Sequence, residues 1–270
     1  MPPLPYRLCA IDLDDTLLGP DHQISARNAR AVAAAIAKGV TVVLASGRMH
    51  ESTLIFARQL GLDTPVISYH GALVKHARTG EVWWHERLPG DLGAVVLDYC
   101  SEHSLHLNFY LNDHLYVAAY TPWIKLYHER TSSPFEVLPD FYVTLRGAAP
   151  TKLIIIDTPE TTDRLLPYFQ DLFADSLYIT KSNVEYLEFT SPNVNKGRAL
   201  EMVAHRFGFT AADTIAFGDS WNDVPMLQWA GLGVAVGNAR PEVIAVADRV
   251  IGRSEEDGVG VALEEIFGLT

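Results

Sequence analysis

From residue 6 the chain alternates short apolar runs with segments of helical period. "RLCAI" (7–11) is a brief apolar run that ends in an acidic cluster. "SARNARAVAAAIAKG" (25–39) reads as a helix with Ser25 as N-cap and Gly39 at its stop. "VTVVLA" (40–45) is β-branched and apolar on both faces, as strands of a parallel sheet are. "ESTLIFARQLG" (51–61) predicts the next helix and "PVISYHGALV" (65–74) the next strand. The same style returns with a helix over 195–208, a strand over 214–218, a helix over 223–231 and a short strand over 231–237. This βαβαβ pattern predicts an α/β fold with a doubly wound, Rossmann-like parallel sheet.

The middle differs. "HLNFYLNDHLYVAAY" (106–120) alternates about an Asn112-Asp113 pivot and predicts a hairpin. "TKLIIID" (151–157) predicts a strand, "TTDRLLPYFQDLF" (161–173) a helix, and "SLYITKSNVEYLEFT" (176–190) one or two strands. Residues 84–187 are therefore expected to form an α+β domain inserted into a core made of 1–83 and 188–270. A chain of 270 residues has room for both.

Charge narrows the partners. Lys and Arg number 21 against 33 Asp and Glu, a net −12, which argues against a nucleic-acid backbone or an anionic membrane as partner. An anionic small molecule remains compatible, because one local cation reverses the field inside a site. Cys9 and Cys100 are too few for a disulfide framework. No apolar run approaches the roughly 18 residues of a membrane span, and no long apolar stretch of a secretory signal precedes the acidic cluster. The expectation is a cytoplasmic protein, monomeric or homodimeric.

The candidate chemistry lies where strands end. Asp12, Asp14 and Asp15 crowd the end of the first strand, and carboxylates this close repel. Asp12 and Asp14 can face the same way in an extended chain, and Mg²⁺ suits one or two carboxylates plus phosphate oxygens. A solvated acidic turn is the other reading of that stretch. "FGDSWNDVPML" (217–227) repeats the arrangement with Asp219, Asn222 and Asp223, which also reads as a helix cap with acids in its first turn. "VLASGR" places Ser46 and Gly47 at a strand-to-helix turn, where a hydroxyl and backbone N–H groups bind phosphate oxygens. Lys196 opens a helix at its positive end, an unfavourable place unless an acidic site and a phosphate face it.

Together these segments resemble the haloacid dehalogenase superfamily of phosphatases, in its Cof-type subgroup with a large α/β cap. The four motifs of that superfamily match "DLDDT" (12–16), Ser46 in "LASGR", Lys196 in "VNKGRAL" and "GDSWND" (218–223), in that order. The tail segments "GVAVGNARPEVIAVAD" (233–248) and "DGVGVAL" (257–263) also look like the subgroup. The resemblance implies a Mg²⁺-dependent phosphatase acting on small phosphate monoesters through an aspartyl-phosphate. It implies Asp12 as nucleophile and Asp14 as acid and then base. The metal would sit on Asp12, Asp219 and the Asp14 backbone carbonyl. Ser46, the Gly47 N–H, Lys196 and Asn222 would hold phosphoryl oxygens. Asp223 would stand behind the metal ligands, and Arg48 is a candidate contact to the substrate phosphate. One departure is His70-Gly71-Ala72 where the subgroup usually carries Asn-Gly-Ala. His70 is thus a candidate at the substrate mouth or a structural histidine at a strand end.

Two alternatives share this acidic pocket. A phosphomutase keeps the phosphoryl group, and a phospho-receiver module is not an enzyme. Receivers have about half this length and no carboxylate two residues beyond the phosphorylated Asp. His103 and His106 lack partners for a transition-metal site, and "GLGVAVG" (231–237) is not a dinucleotide-binding glycine pattern.

Overall fold

Four apolar side chains in succession, Leu8–Ile11 (β1), are buried without exception and form the middle of a parallel sheet. A computed structural model describes residues 4–269 of the chain. After β1 the backbone makes a wide turn in which the N–H groups of Leu17 and Leu18 donate to the carbonyls of Asp12 and Leu13. Ala26–Ala37 (α1) follows, and the Ser25 hydroxyl accepts from the Asn28 N–H at 3.0 Å, as its N-cap position predicts. Next come Thr41–Leu44 (β2), His50–Gln59 (α2) and Pro65–Ser68 (β3).

The stretch 65–74, expected as one strand, is two. Tyr69, His70 and Gly71 take φ values of 51°, 59° and 106°, and three left-handed residues in a row reverse the chain. Leu73–His76 (β4) therefore returns antiparallel to β3, and Val82–His85 (β5) completes a three-stranded sheet.

The middle of the chain runs Gly90–Glu102 (α3), His106–Leu111 (β6), His114–Val117 (β7), Pro122–Thr131 (α4), Glu136–Val137 (β8) and Phe141–Thr144 (α5). Lys152–Ile156 (β9), Pro159–Phe173 (α6), Tyr178–Asn183 (β10) and Tyr186–Thr190 (β11) follow. Asn112 and Asp113, at φ 53° and 64°, form the two-residue turn expected between β6 and β7. The last segment holds Lys196–Arg206 (α7), Thr214–Gly218 (β12), Val224–Trp229 (α8), Leu232–Ala235 (β13), Pro241–Ile244 (α9), Arg249–Val250 (β14) and Gly258–Phe267 (α10).

The core sheet has the order β14-β13-β12-β1-β2, all parallel. The chain leaves β1 toward β2, while β12 lies on the other flank of β1. The carboxyl ends of β1 and β12 therefore open at a switch point, where doubly wound sheets bind ligands.

Packing divides the chain into two compact units: residues up to Trp84 with those from Asn195, and His85–Val194. The second junction falls later than the expected 187/188. β11 runs through that point and stays hydrogen-bonded to β9 and β10, so the strand cannot be divided there. The 85–194 unit has a six-stranded sheet, β10-β11-β9-β6-β7-β8, and an aromatic core of its own. Phe169 of α6 meets the Phe189 ring edge-on at 5.0 Å between centroids and stacks on Phe173 at 5.9 Å.

Phe169→Ala should cost about 3–5 kcal/mol in urea unfolding of the full chain, through lost burial and the cavity left behind. A loss below about 1 kcal/mol would show that this ring cluster does not organise the unit.

Candidate active site

Asp12 follows the last residue of β1, and its N–H donates to the Phe217 carbonyl of β12 at 3.0 Å. Its side chain is almost fully buried. The partner is Lys196, the first residue of α7, whose Nζ is 2.5 Å from Asp12 Oδ1 and 2.5 Å from Asp223 Oδ1. Lys196 and Asp223 are completely buried. The other Asp223 oxygen accepts the N–H groups of Asp219 and Ser220, each at 3.0 Å, so both oxygens of Asp223 are committed. Asp12 Oδ2 has no hydrogen-bond partner among the described residues.

Asp219 follows β12 and lies in the same cluster: one oxygen each from Asp12, Asp219 and Asp223 falls within 4.8 Å of the others. The Thr16 hydroxyl donates to Asp219 Oδ1 at 3.2 Å, which gives the last position of "DLDDT" a role that spacing alone did not reveal. Three carboxylates thus face one ammonium. Burial first, then the Asp223 charge, pushes the Asp12 carboxyl well above its usual range, with Lys196 opposing. Burial and Asp223 likewise push Asp219 up to about 7. Burial alone would lower the Lys196 ammonium, but Asp12 and Asp223 more than reverse that and hold it charged. Such a surplus of buried negative charge, with carboxylate oxygens left uncommitted, fits a hard divalent cation.

Asp14 points elsewhere. Its carboxylate is 42% exposed and takes a fork from Arg48, Nε to Oδ2 at 2.8 Å and Nη2 to Oδ1 at 2.5 Å. Arg48, considered from sequence as a phosphate contact, is placed on this carboxylate, and its own side chain is nearly buried. The loop that carries it starts at Ser46, whose N–H continues the sheet by donating to Ile67. The Arg48 N–H donates to the Ser46 hydroxyl at 3.1 Å. Asn222 Nδ2 donates to His70 Nδ1 at 2.9 Å. The residues singled out from sequence therefore form two linked groups at the carboxyl ends of β1, β2 and β12. Asp12, Lys196, Asp219 and Asp223 make one. Ser46, Gly47, Arg48, Asp14, His70 and Asn222 make the other.

This arrangement has relatives. The family model of haloacid dehalogenase-like hydrolases matches residues 9–263. The chain belongs to that family. It is 30% identical over 293 residues to the phosphatase YwpJ of Bacillus subtilis, covering 97% of this chain and all of that protein. To the 5-amino-6-(5-phospho-D-ribitylamino)uracil phosphatase YitU of the same organism it is 29% identical over 271 residues, covering 98% of each. The crystal structure of TM0651 from Thermotoga maritima, 33% identical, covers 96% of this chain and 97% of its own with a TM-score of 0.88. The family member described here is an enzyme, a phosphatase, which sets the phospho-receiver alternative aside. No described helix is long and apolar enough to cross a membrane.

The raised Asp219 carboxyl has a pH signature. Its folded value of about 7 stands above the ordinary 3.8, so the stability it contributes is present below that ordinary value and lost as pH rises through 7. In EDTA, the melting temperature of Asp219→Asn relative to wild type should therefore climb between pH 4 and pH 8. A flat or falling difference would contradict the raised carboxyl.

Proposed function

We propose that the chain is a Mg²⁺-dependent phosphatase that hydrolyses small phosphate monoesters through an aspartyl-phosphate on Asp12. The carrying observation is the Asp12 carboxylate itself: buried, held at Oδ1 by a buried lysine, and uncommitted at Oδ2. A carboxylate so restrained is aimed rather than solvated, which is what nucleophilic attack requires.

Mg²⁺ would sit on Asp12, Asp219 and the Asp14 carbonyl, and when bound it supplies positive charge against the phosphoryl oxygens. In the first step an Asp12 oxygen attacks phosphorus. The phosphorus–ester bond breaks, its electron pair goes to the leaving oxygen, and Asp14 gives that oxygen a proton. In the second step water attacks phosphorus and loses a proton to Asp14. The bond to Asp12 breaks and its pair returns to the carboxylate. Lys196, the Ser46 hydroxyl, the Gly47 N–H and Asn222 hold the phosphoryl oxygens through both steps. Asp223 keeps Lys196 in place, and Arg48 orients Asp14.

The inserted unit is proposed as the domain that selects the leaving group. Sugar phosphates and phosphorylated cofactors are the proposed substrates, and the ribityl phosphate in the name of YitU belongs to that class. Cys9 and Cys100 are both buried free thiols, which suits the cytoplasm we propose as the setting.

Asp12→Asn should lose all but roughly 1% of p-nitrophenyl phosphate turnover, since several kcal/mol of barrier rest on that oxygen. Asp14→Asn should instead accumulate the aspartyl-phosphate, because p-nitrophenolate leaves without a proton while water still lacks its base. Hydroxylamine should trap that species. A chiral, isotope-labelled ester should show net retention at phosphorus from two in-line displacements, and inversion would overturn the covalent route.

Activity should vanish in EDTA and return with Mg²⁺, while Ca²⁺ should inhibit, because its larger shell favours both Asp12 oxygens at once. Robust turnover in Ca²⁺ alone would sink the metal reading.

A further inference from the structure

The turn Tyr69–Gly71 carries no motif of the reaction, yet it touches three of the segments that do. The Tyr69 N–H donates to the Arg48 carbonyl at 2.9 Å and the His70 N–H to the Ser46 carbonyl at 3.0 Å, which lace the turn along the phosphate loop. At Gly71, φ 106°, a Cβ would lie 2.5 Å from the carbonyl oxygen of Asn195, the cap of the helix that begins with Lys196. At Gly47 a Cβ would lie 2.3 Å from His70 Cε1, so the imidazole lies directly across the loop glycine. The ring then reaches the third segment, where Asn222 Nδ2 donates to its Nδ1. An amide nitrogen can only donate, so Nδ1 accepts and the proton of the neutral ring sits on Nε2.

We propose that His70 is a positioning residue that orients the Asn222 amide for the phosphoryl group. The inference rests on the reading of Asn222 as a holder of phosphoryl oxygens. Nδ2 carries two hydrogens. One goes to His70, which fixes the plane of the amide and leaves the other to donate to a phosphoryl oxygen. Asn222 Oδ1 is buried without a partner among the described residues. Nothing found on that side holds the amide, so the contact with His70 is what sets its orientation.

The same geometry accounts for the departure from Asn-Gly-Ala. Nδ1 of histidine and Oδ1 of asparagine are both bonded to Cγ, so either places an acceptor at the same point along the side chain. Both residue types also tolerate the left-handed backbone found here better than most. His70 therefore does with a ring nitrogen what an asparagine would do with its carbonyl oxygen.

The test uses the full-length, Mg²⁺-loaded enzyme and inorganic phosphate as competitive inhibitor of p-nitrophenyl phosphate hydrolysis. His70→Gly deletes the side chain and is at ease at φ 59°, so the turn itself is kept. It should raise the phosphate inhibition constant about tenfold, the worth of one hydrogen bond, while His70→Asn should stay within about threefold of wild type. The double variant His70→Gly with Asn222→Ala should be no worse than Asn222→Ala alone, because both remove one device. Additive losses in the double variant, or a loss in His70→Asn as large as in His70→Gly, would overturn the role of His70 and leave the phosphatase mechanism untouched. If Asn222→Ala leaves the inhibition constant unchanged, the phosphoryl-holding reading of Asn222 fails, and the proposal with it.

Discussion

A lysine ammonium removed from water is tolerable only against carboxylates, and Lys196 has two of them at 2.5 Å. Most of the site follows from that constraint. Asp12 comes from the end of β1, Asp223 from the loop after β12, and the ammonium between them ties chain segments that are 184 and 27 residues away in sequence. Asn195 caps the helix that presents the lysine, accepting the Arg198 N–H at 2.8 Å. Asp223 is anchored on its far side by two backbone N–H groups, so one of the two carboxylates on the lysine is fully committed, while Asp12 keeps one oxygen free of hydrogen bonds among the described residues. These groups are held by protein partners alone, and preorganisation of that kind is where electrostatic catalysis gains most.

Much of this was legible in the chain because it depends on local pattern. Apolar runs of four or five residues with an acid or a Ser-Gly at their ends mark strand termini. A parallel sheet gathers such termini at one edge whatever the loops do. Asp12, Ser46 and Asp219 had to approach one another once β1, β2 and β12 were neighbours. The unread features are long-range choices of side-chain partner. Nothing in "DLDDT" distinguishes an Asp14 that meets a cation from one that takes the fork of Arg48. Thr16 looks like an ordinary helix-turn hydroxyl until Asp219 is found beside it. The reversal at residues 69–71 was hidden for a different reason. Tyr69 carries no signal for a left-handed backbone and His70 only a weak one, and the turn is held by hydrogen bonds to the carbonyls of Arg48 and Ser46, which are distant in sequence. The end of the 85–194 unit leaves no mark in the sequence, because strand pairing, invisible in composition, carries β11 past residue 187.

Asp12 and Asp14 are two residues apart, and the fold gives them opposite surroundings. Asp12 is buried against an ammonium in a surplus of negative charge, conditions that raise its carboxyl and make a cation welcome. Asp14 is nearly half exposed and takes a two-pronged hydrogen bond from the Arg48 guanidinium. Under the proposed mechanism the first must be fixed and ionised, while the second must trade protons with substrate and water. Environment assigns those tasks to chemically identical side chains, as it does wherever paired carboxylates work as nucleophile and acid.

Charge balance separates this site from the other buried charges of the molecule. Among the described residues the buried ionisable side chains at opposite sign are Asp12, Asp223 and Lys196 in the core unit and Lys152 and Glu188 in the inserted one. Lys152 meets Glu188 at 3.1 Å, one cation to one anion, and Ser182 adds a hydrogen bond to the carboxylate. That pair is electrically closed, and its polar atoms serve to hold β9 against β11 and β10. In the core unit two buried anions face one cation, and Asp219 adds a third carboxylate at the edge. Folding energy alone would select against such a surplus, because each unpaired buried charge is destabilising. Its presence at the carboxyl ends of β1 and β12, and nowhere else among the described residues, is the physical reason to place the chemistry there.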